Sequence, residues 1–243
     1  MNLLIEQGNS SAKVAIYNKG VIEASFVYDK FDTAAMEPLF ELYSLRYGIM
    51  SSVIEPDEAL KAELGRRLER FVWLDEHVPT PVSVSYKTPS TLGKDRLAAV
   101  VGAFHTKPGR NLLVIDAGTA ITYDLVDSTG LYLGGNISPG MNMRFRALHN
   151  YTCQLPLVDE SEGDVPQIGD STETAIRAGV VNGIAFEMDG MINRLRTRYP
   201  DLFIFLTGGN SFYFAGRLEN GTFADINLVL TGLNRILEYN VEN

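Results

Sequence analysis

The sequence predicts an α/β protein in which one structural unit is duplicated to give two lobes with mixed sheets. A pattern of apolar segment, acidic residue, glycine and small polar residue begins at Leu3 and returns at Leu113. Its two carboxylates, Glu6 and Asp116, stand 110 residues apart in a chain of 243 residues. A repeat at this spacing indicates two copies of about half the chain each. We therefore expect one lobe over residues 1–110 and a second over residues 111–243.

Each copy of the repeat predicts three consecutive strands. In the first copy, apolar segments at residues 12–17 and 21–24 follow the opening one, and residues 121–126 and 130–135 follow it in the second. A further β-rich segment covers residues 203–206. These strands alternate with segments of helical periodicity, such as the leucines at 60, 64 and 68. The segments with this periodicity are residues 57–70, 94–105, 172–198 and 227–239.

One more helix is expected after the second strand triplet. Ser138 is a favourable N-cap residue, and Pro139 is favourable at the first helical position. The sequence therefore predicts a helix that begins at this pair and runs through Met143 to Leu148.

Composition excludes several classes of protein. With 45% hydrophobic and 21% charged residues, the chain is typical of a packed globular protein rather than a disordered one. No apolar segment approaches the ~18–20 residues of a membrane span, and the N-terminus lacks the features of a signal peptide. The net charge of -9 disfavours nucleic-acid partners. The single cysteine, Cys153, excludes an internal disulfide framework. We expect a cytoplasmic location and no membrane partner.

Two glycine turns are candidates for phosphate binding. Gly8-Asn9-Ser10 and Gly118-Thr119-Ala120 each lie between two strands, where glycine lets the backbone turn and present its N–H groups. Lys13 adds a positive charge. Ordinary hairpin turns have similar compositions, so neither turn by itself is sufficient evidence for phosphate binding. The duplication and the later Thr207-Gly208-Gly209 strand end favour a nucleotide site. Walker A, dinucleotide-binding and protein-kinase motifs are absent from the sequence.

Four ordered motifs resemble those of the type III pantothenate kinase family, within the actin, Hsp70 and sugar-kinase superfamily. Glu6 to Lys13 is similar to D-x-G-N-[ST]-x-x-K, and Gly93 to Arg96 is similar to G-x-D-R. Asp116 to Asp124 matches D-x-G-T-A-x-T-x-D, and Gly134 to Gly140 matches G-G-x-I-x-P-G. Position 6 departs from the family pattern because the family has aspartate there. The extra methylene shifts the carboxylate by about 1–1.5 Å, which is enough to change metal geometry.

The resemblance implies an actin-like ATPase fold and an ATP-dependent kinase. The expected reaction phosphorylates pantothenate to 4′-phosphopantothenate, the first step of coenzyme A biosynthesis. Mg²⁺ would accompany ATP, and Asp116 would hold a monovalent cation, K⁺ or NH4⁺. Thr119 would contact the ATP phosphates from the second lobe. The residues expected to bind ATP in the first lobe are Glu6, Gly8, Asn9, Ser10 and Lys13.

The resemblance also implies an acceptor site. Asp95 would be the general base that takes the proton of the pantothenate hydroxyl. Thr172 would reach pantothenate from a neighbouring subunit, so the family pattern implies a homodimer with the substrate site at the interface. The residues expected to bind pantothenate are Tyr86, Gly93, Lys94, Asp95, Arg96 and Thr172.

Other interpretations remain open from the residues alone. Asp95 and Arg96 taken by themselves are compatible with a helix N-terminal acid, which the helix dipole favours, beside a solvated arginine. The same scaffold could serve another small-molecule kinase, an ATP hydrolase or a non-catalytic regulatory protein, because fold alone does not set the chemistry. The acidic net charge and the lack of a helix-turn-helix signal speak against DNA contact.

Overall fold

Strands and helices alternate along the chain as the sequence predicts. A computed structural model describes residues 1–9, 11–55, 57–159 and 165–242. The strands are β1 Asn2–Gln7, β2 Ala12–Asn18, β3 Val21–Tyr28, β4 Tyr47–Ser52, β5 Arg70–Trp73, β6 Ser83–Val84, β7 Leu112–Ala117, β8 Ala120–Val126, β9 Leu131–Pro139, β10 Phe203–Thr207 and β11 Phe223–Ala224. The helices are α1 Thr33–Leu42, α2 Glu58–Arg67, α3 Lys94–Thr106, α4 Met141–Asn150, α5 Thr172–Arg196, α6 Ser211–Ala215 and α7 Leu228–Glu242.

The chain forms two compact units. The first contains Met1–Gly109, Val126–Leu133 and Asn227–Asn243, and the second contains Arg110–Leu125 and Gly134–Ile226. The triplet β1 to β3 lies in the first unit, and the triplet β7 to β9 lies in the second apart from residues 126–133, so both predicted strand triplets are present. The division of the duplicated halves at residue 110 stays a prediction. Within the described residues, a membrane-spanning helix is absent.

The sheet of the first unit has the order β3-β2-β1-β4-β5. Strand β1 is antiparallel to β2 and parallel to β4, so the sheet is mixed. Leu3, Leu4 and Ile5 of β1 are fully buried because helices cover both faces of the sheet. Leu39 of α1 and Leu64 of α2 belong to the same core as Leu3 and Ile5, while α7 also contacts β1. Burial on both faces explains the continuous apolar sequence of β1.

The sheet of the second unit contains β11-β10-β7-β8-β9 in that order. Strand β10 is parallel to β7 and to β11, whereas the two-residue connection after β7 turns β8 back along it. Ile184 and Met188 of α5 are fully buried in one core with Leu113 and Ile115 of β7. Both units therefore have mixed sheets packed against helices, which confirms the predicted α/β class.

The predicted helix start at Ser138-Pro139 is wrong. Both residues lie in β9, and α4 begins at Met141 with Gly140 as its N-cap. The Ser138 hydroxyl accepts a hydrogen bond from Arg144 Nη2 at 2.9 Å instead of capping the helix backbone. The other predicted helices and the strand at 203–206 are confirmed within a few residues of their ends. The helix predicted over 57–70 stops at Arg67, because residue 70 already begins β5.

Helices α3 and α7 pack backbone to backbone in the first unit. A Cβ atom added at Gly232 of α7 would collide with the Ala98 carbonyl oxygen, and one added at Gly102 of α3 would collide with the Leu228 carbonyl oxygen. Only glycine allows this approach, because any side chain would occupy the space of the facing backbone. The crossing fixes the position of α3, whose first turn carries Asp95.

Replacing Gly232 by alanine tests this crossing. We expect Gly232→Ala to lower the free energy of unfolding by about 1–3 kcal/mol, the usual cost of overpacking a tight contact. Gly65 of α2 is the matched control, because its added Cβ meets no atom within 4 Å. Gly65→Ala should raise the free energy of unfolding by about 0.4–1 kcal/mol through helix propensity and reduced chain entropy. Urea unfolding followed by circular dichroism measures both, and equal effects would contradict the close crossing.

Candidate active site

Glu6 and Lys13 are cross-strand neighbours in β1 and β2. The Lys13 Nζ atom lies 4.0 Å from Glu6 Oε2. The Glu6 side chain is only 18% exposed, and its Oε2 atom is buried without a hydrogen-bond partner among the described residues. The register therefore explains the motif spacing, since the lysine seven residues after the carboxylate is the residue directly opposite it.

The turn after β1 is narrow. The Gly8 N–H donates to the Ser11 carbonyl oxygen at 2.9 Å, and Gln7 Nε2 donates to the Gly8 carbonyl oxygen at 3.0 Å. A Cβ at Gly8 would lie 3.1 Å from the Ser11 oxygen, so the turn has little room for a side chain. Asn9 is exposed at its tip. Ser10, the next residue of the predicted phosphate turn, lies outside the described residues.

Asp95 lies in the first turn of α3, with Gly93 as the N-cap residue. Its Oδ1 atom accepts the Arg96 N–H at 2.8 Å, and a Cβ at Gly93 would lie only 2.5 Å from that oxygen. The glycine of the G-x-D-R motif thus makes room for the carboxylate. Lys94 forms an ion pair with Glu76, in which its Nζ atom lies 3.7 Å from Glu76 Oε2.

Arg96 is buried, with 6% of its surface exposed. Its Nη2 atom donates to the Tyr132 hydroxyl at 3.1 Å, and the Tyr132 ring lies 6.0 Å from the ring of Tyr86. The structure therefore rejects the alternative of a solvated arginine and brings two predicted substrate residues, Tyr86 and Arg96, to one fully buried tyrosine. The sequence analysis missed Tyr132, because nothing local in the sequence marks a tyrosine at the start of β9 as a partner of α3.

The carboxylate of Glu6 shares an electrostatic environment with Lys13 and Asp95. Burial raises the pKa of Glu6, the Lys13 charge opposes this change, and the Asp95 charge adds to it. Three predicted site residues from β1, β2 and α3 thus influence one another within the first unit. A buried acid with a specific charged neighbour is a common feature of functional sites.

In the second unit, Asp116 lies near the carboxyl end of β7, opposite Thr207 of the parallel strand β10. A Cβ at Gly118 would lie 3.2 Å from Asp116 Oδ1, and one at Gly208 would collide with the same oxygen. Gly208 has a φ of 88°, which favours glycine. Two glycine turns that are distant in sequence therefore border one carboxylate, at the strand ends where α/β proteins bind ligands.

Thr119 and Thr172 are both exposed in the second unit. Thr119 lies at the tip of the turn between β7 and β8, and its carbonyl oxygen accepts the Gly140 N–H at 3.1 Å. Thr172 is the first residue of α5, whose start is held by a capping box between Ser171 and Thr174. Both threonines are accessible to a ligand or to another chain.

The described residues contain no cluster of three or more His, Cys, Asp or Glu side chains that could hold a metal ion. Asp116, with backbone turns on both sides, offers oxygen of the kind that hard cations prefer.

Comparison with known proteins finds relatives along the whole chain. The sequence model described as type III pantothenate kinase matches residues 2–194. A type III pantothenate kinase from Phocaeicola vulgatus is 51% identical over 240 residues, which cover 99% of this chain and 99% of that protein. One from Porphyromonas gingivalis is 46% identical over 244 residues and also covers 99% of each chain.

A solved structure has the same fold. A ROK family glucokinase from Streptomyces griseus, crystallised with glucose and AMPPNP, matches with a TM-score of 0.57 and 12% identity. The match covers 100% of this chain and 99% of the glucokinase. The likeness confirms the predicted fold of the actin and sugar-kinase type.

Replacing Glu6 by glutamine should change how stability depends on pH. Because the folded-state pKa of Glu6 is raised, the protonated form is favoured in the folded protein, and stability is lost as pH rises above the ordinary value of 4.5. We expect the thermal stability of Glu6→Gln, measured from pH 4.5 to 8, to increase relative to that of the wild type as pH rises above 4.5. Exposed Glu41 of α1 provides a control, and Glu41→Gln should follow the wild type. A constant difference between Glu6→Gln and the wild type across this range would contradict the prediction.

Proposed function

The chain belongs to the type III pantothenate kinase family and is an ATP-dependent pantothenate kinase, and we propose how its own residues carry the reaction. The product is 4′-phosphopantothenate, and the reaction is the first step of coenzyme A biosynthesis. The observation that carries the assignment of roles is the grouping of Glu6, Lys13 and Asp95 in the first unit. Phosphoryl transfer depends on such positioning and on neutralising charge more than on covalent chemistry.

The ATP phosphates are assigned to the turn at Gly8, Asn9 and Ser10, to Lys13, and to Thr119. Backbone N–H groups of a glycine turn and a lysine ammonium are typical phosphate ligands. The Lys13 Nζ is held near the Glu6 carboxylate, which limits where its charge lies. Glu6 replaces the family aspartate, and its buried carboxyl would supply an oxygen to a Mg²⁺ that arrives with ATP.

Asp116 is assigned to a monovalent cation, K⁺ or NH4⁺. Its carboxylate lies against the glycine positions 118 and 208, where no side chain separates it from the backbone. A bound cation would supply positive charge that offsets the charge of the phosphates. The protein contributes the carboxylate and the two turns that hold it in place.

Asp95 is assigned as the general base. It accepts the proton of the pantothenate hydroxyl as the hydroxyl oxygen bonds to the γ-phosphorus of ATP and the bond to the ADP oxygen breaks. The Arg96 N–H fixes one carboxylate oxygen at 2.8 Å, and Asp95 stands in the first turn of α3, where the helix dipole attracts negative charge. Arg96, held by Tyr132, binds the carboxylate or amide of pantothenate together with Tyr86, Gly93 and Lys94.

A homodimer with the acceptor site at the subunit interface is part of the proposal. Thr172 is exposed at the start of α5, which lets it reach a neighbouring subunit. On the same helix Phe186 is 66% exposed, and Ile137 of β9 is 67% exposed. In the proposed dimer, a second chain that packs on this unit would remove apolar side chains of this size from water. The solution mass measured by light scattering at micromolar concentration tests the assembly, and a monomer would contradict it.

Asparagine at position 95 tests the general base. We expect Asp95→Asn to lower kcat by roughly 10²–10⁴-fold with a small change in KM, because the amide cannot accept the proton. A coupled assay for ADP, run with and without pantothenate, measures the loss. Exposed Asp29→Asn is the matched control and should keep the wild-type rate. Pantothenate-dependent ADP release at the wild-type rate in Asp95→Asn would overturn the role of Asp95.

Exchange of the monovalent cation tests Asp116. We expect K⁺ to stimulate the wild-type reaction over Na⁺, and Asp116→Asn to abolish that difference because the amide lacks the charge that holds the cation. The same ADP assay in matched KCl and NaCl buffers measures both proteins. Asp201→Asn, an exposed change in the same unit, should keep the preference for K⁺. Equal rates of the wild type in the two salts would contradict the cation assignment.

A further inference from the structure

Arg144 of α4 and Glu187 of α5 form an ion pair that also holds the end of β9. Arg144 Nη2 lies 2.5 Å from Glu187 Oε2, and the two side chains are 21% and 30% exposed. The same guanidinium donates through Nε to the Pro139 carbonyl oxygen at 2.8 Å and through Nη2 to the Ser138 hydroxyl at 2.9 Å. One arginine thus connects two helices with the last two residues of a strand.

The second oxygen of Glu187 is bound from another strand. The Tyr123 hydroxyl of β8 donates to Glu187 Oε1 at 2.7 Å. Burial alone raises the pKa of Glu187, but hydrogen bonds from Arg144, Tyr123 and Ser138 outweigh it and lower the pKa. Burial and the bond to this carboxylate raise the pKa of Tyr123, which keeps its hydroxyl a donor. The carboxylate is therefore charged and bound on both oxygens.

This network ends at both sides of the turn that carries Thr119. Gly140 directly follows the residues that Arg144 holds, and its N–H donates to the Thr119 carbonyl oxygen at 3.1 Å. A Cβ at Gly140 would collide with the carbonyl oxygens of Gly118 and Thr119, so the two segments lie in direct backbone contact. On the other side, Tyr123 lies in β8, the strand that leaves the turn.

We infer that Arg144 and Glu187 are positioning residues that hold the Gly118-Thr119 turn in the geometry that binds the ATP phosphates. The inference rests on the proposed assignment of Thr119 to ATP. A surface ion pair contributes little to stability, but here each partner is mostly shielded and also bonds backbone or strand groups. If either charge is removed, the remaining charge is partly buried without its partner. The end of β9 is then free to shift against the turn. A small displacement of the turn weakens binding of the ATP phosphates, because their contacts require a fixed geometry.

Glutamine at position 187 removes the charge while keeping the shape. We expect Glu187→Gln to raise KM for ATP and Kd for ADP by about tenfold, with KM for pantothenate changed by less than about twofold. Steady-state kinetics with each substrate varied, and calorimetric titration with ADP, give the three constants. Arg144→Met should act in the same way. The double variant should raise KM for ATP and Kd for ADP no further than either single variant, because each single change already breaks the same network.

Glu37→Gln is the matched control, since it breaks a comparable ion pair in the first unit, where Arg67 Nη2 lies 2.6 Å from Glu37 Oε1. It should leave all three constants at the wild-type values. If Glu187→Gln does not fold, Tyr123→Phe removes one donor to the same carboxylate and should weaken ADP binding by a smaller factor. Equal rises in both KM values, or unchanged ADP binding in folded Glu187→Gln or in Tyr123→Phe, would overturn the inference. Failure of the proposed function is separable, because it would remove pantothenate-dependent ADP release from the wild type itself.

Discussion

Close backbone approach at glycine positions is the constraint on which the site residues of each unit depend. Gly93 leaves space for the Asp95 carboxylate, and Gly208 leaves space for that of Asp116. Gly140 lets the end of β9 rest on the carbonyl groups of the turn at Thr119. A methyl group at any of these positions would displace a charged group or a strand end. The glycines therefore set the distances between charges, and phosphoryl transfer depends on those distances.

The overall negative charge of the protein is unfavourable for anionic substrates, so individual residues near the site must supply positive charge. Its net charge of -9 repels ATP and an anionic acceptor at long range. Within the first unit, burial and the charge of Asp95 raise the pKa of Glu6, and Lys13 at 4.0 Å opposes them. This arrangement favours the uptake of a proton or a cation by the Glu6 carboxyl. Arg96 is buried, and its Nη2 atom donates to the hydroxyl of the fully buried Tyr132 at 3.1 Å.

The second unit uses charge in a different way. Arg144 and Glu187 neutralise each other. Glu187 also accepts a hydrogen bond from the Tyr123 hydroxyl, and Arg144 also donates to the Ser138 hydroxyl and to the Pro139 carbonyl oxygen. Such a pair adds little to global stability but specifies one arrangement of β8, β9, α4 and α5. The same network reaches the turn at Thr119, because Gly140, which follows the end of β9, donates to the Thr119 carbonyl oxygen.

The repeated strand triplet and most of the helices could be predicted from the sequence, because periodicity and turn chemistry act over neighbouring residues. The sequence also located Asp95 at a helix start and Asp116 at a strand end. The bond between Ser138 and Arg144, in place of the expected helix cap, depends on how the end of β9 packs against α4. Tyr132 meets Arg96 across 36 residues, and Glu187 meets Arg144 across 43. Contacts at such separations depend on how helices and strands pack, and no local pattern records that packing.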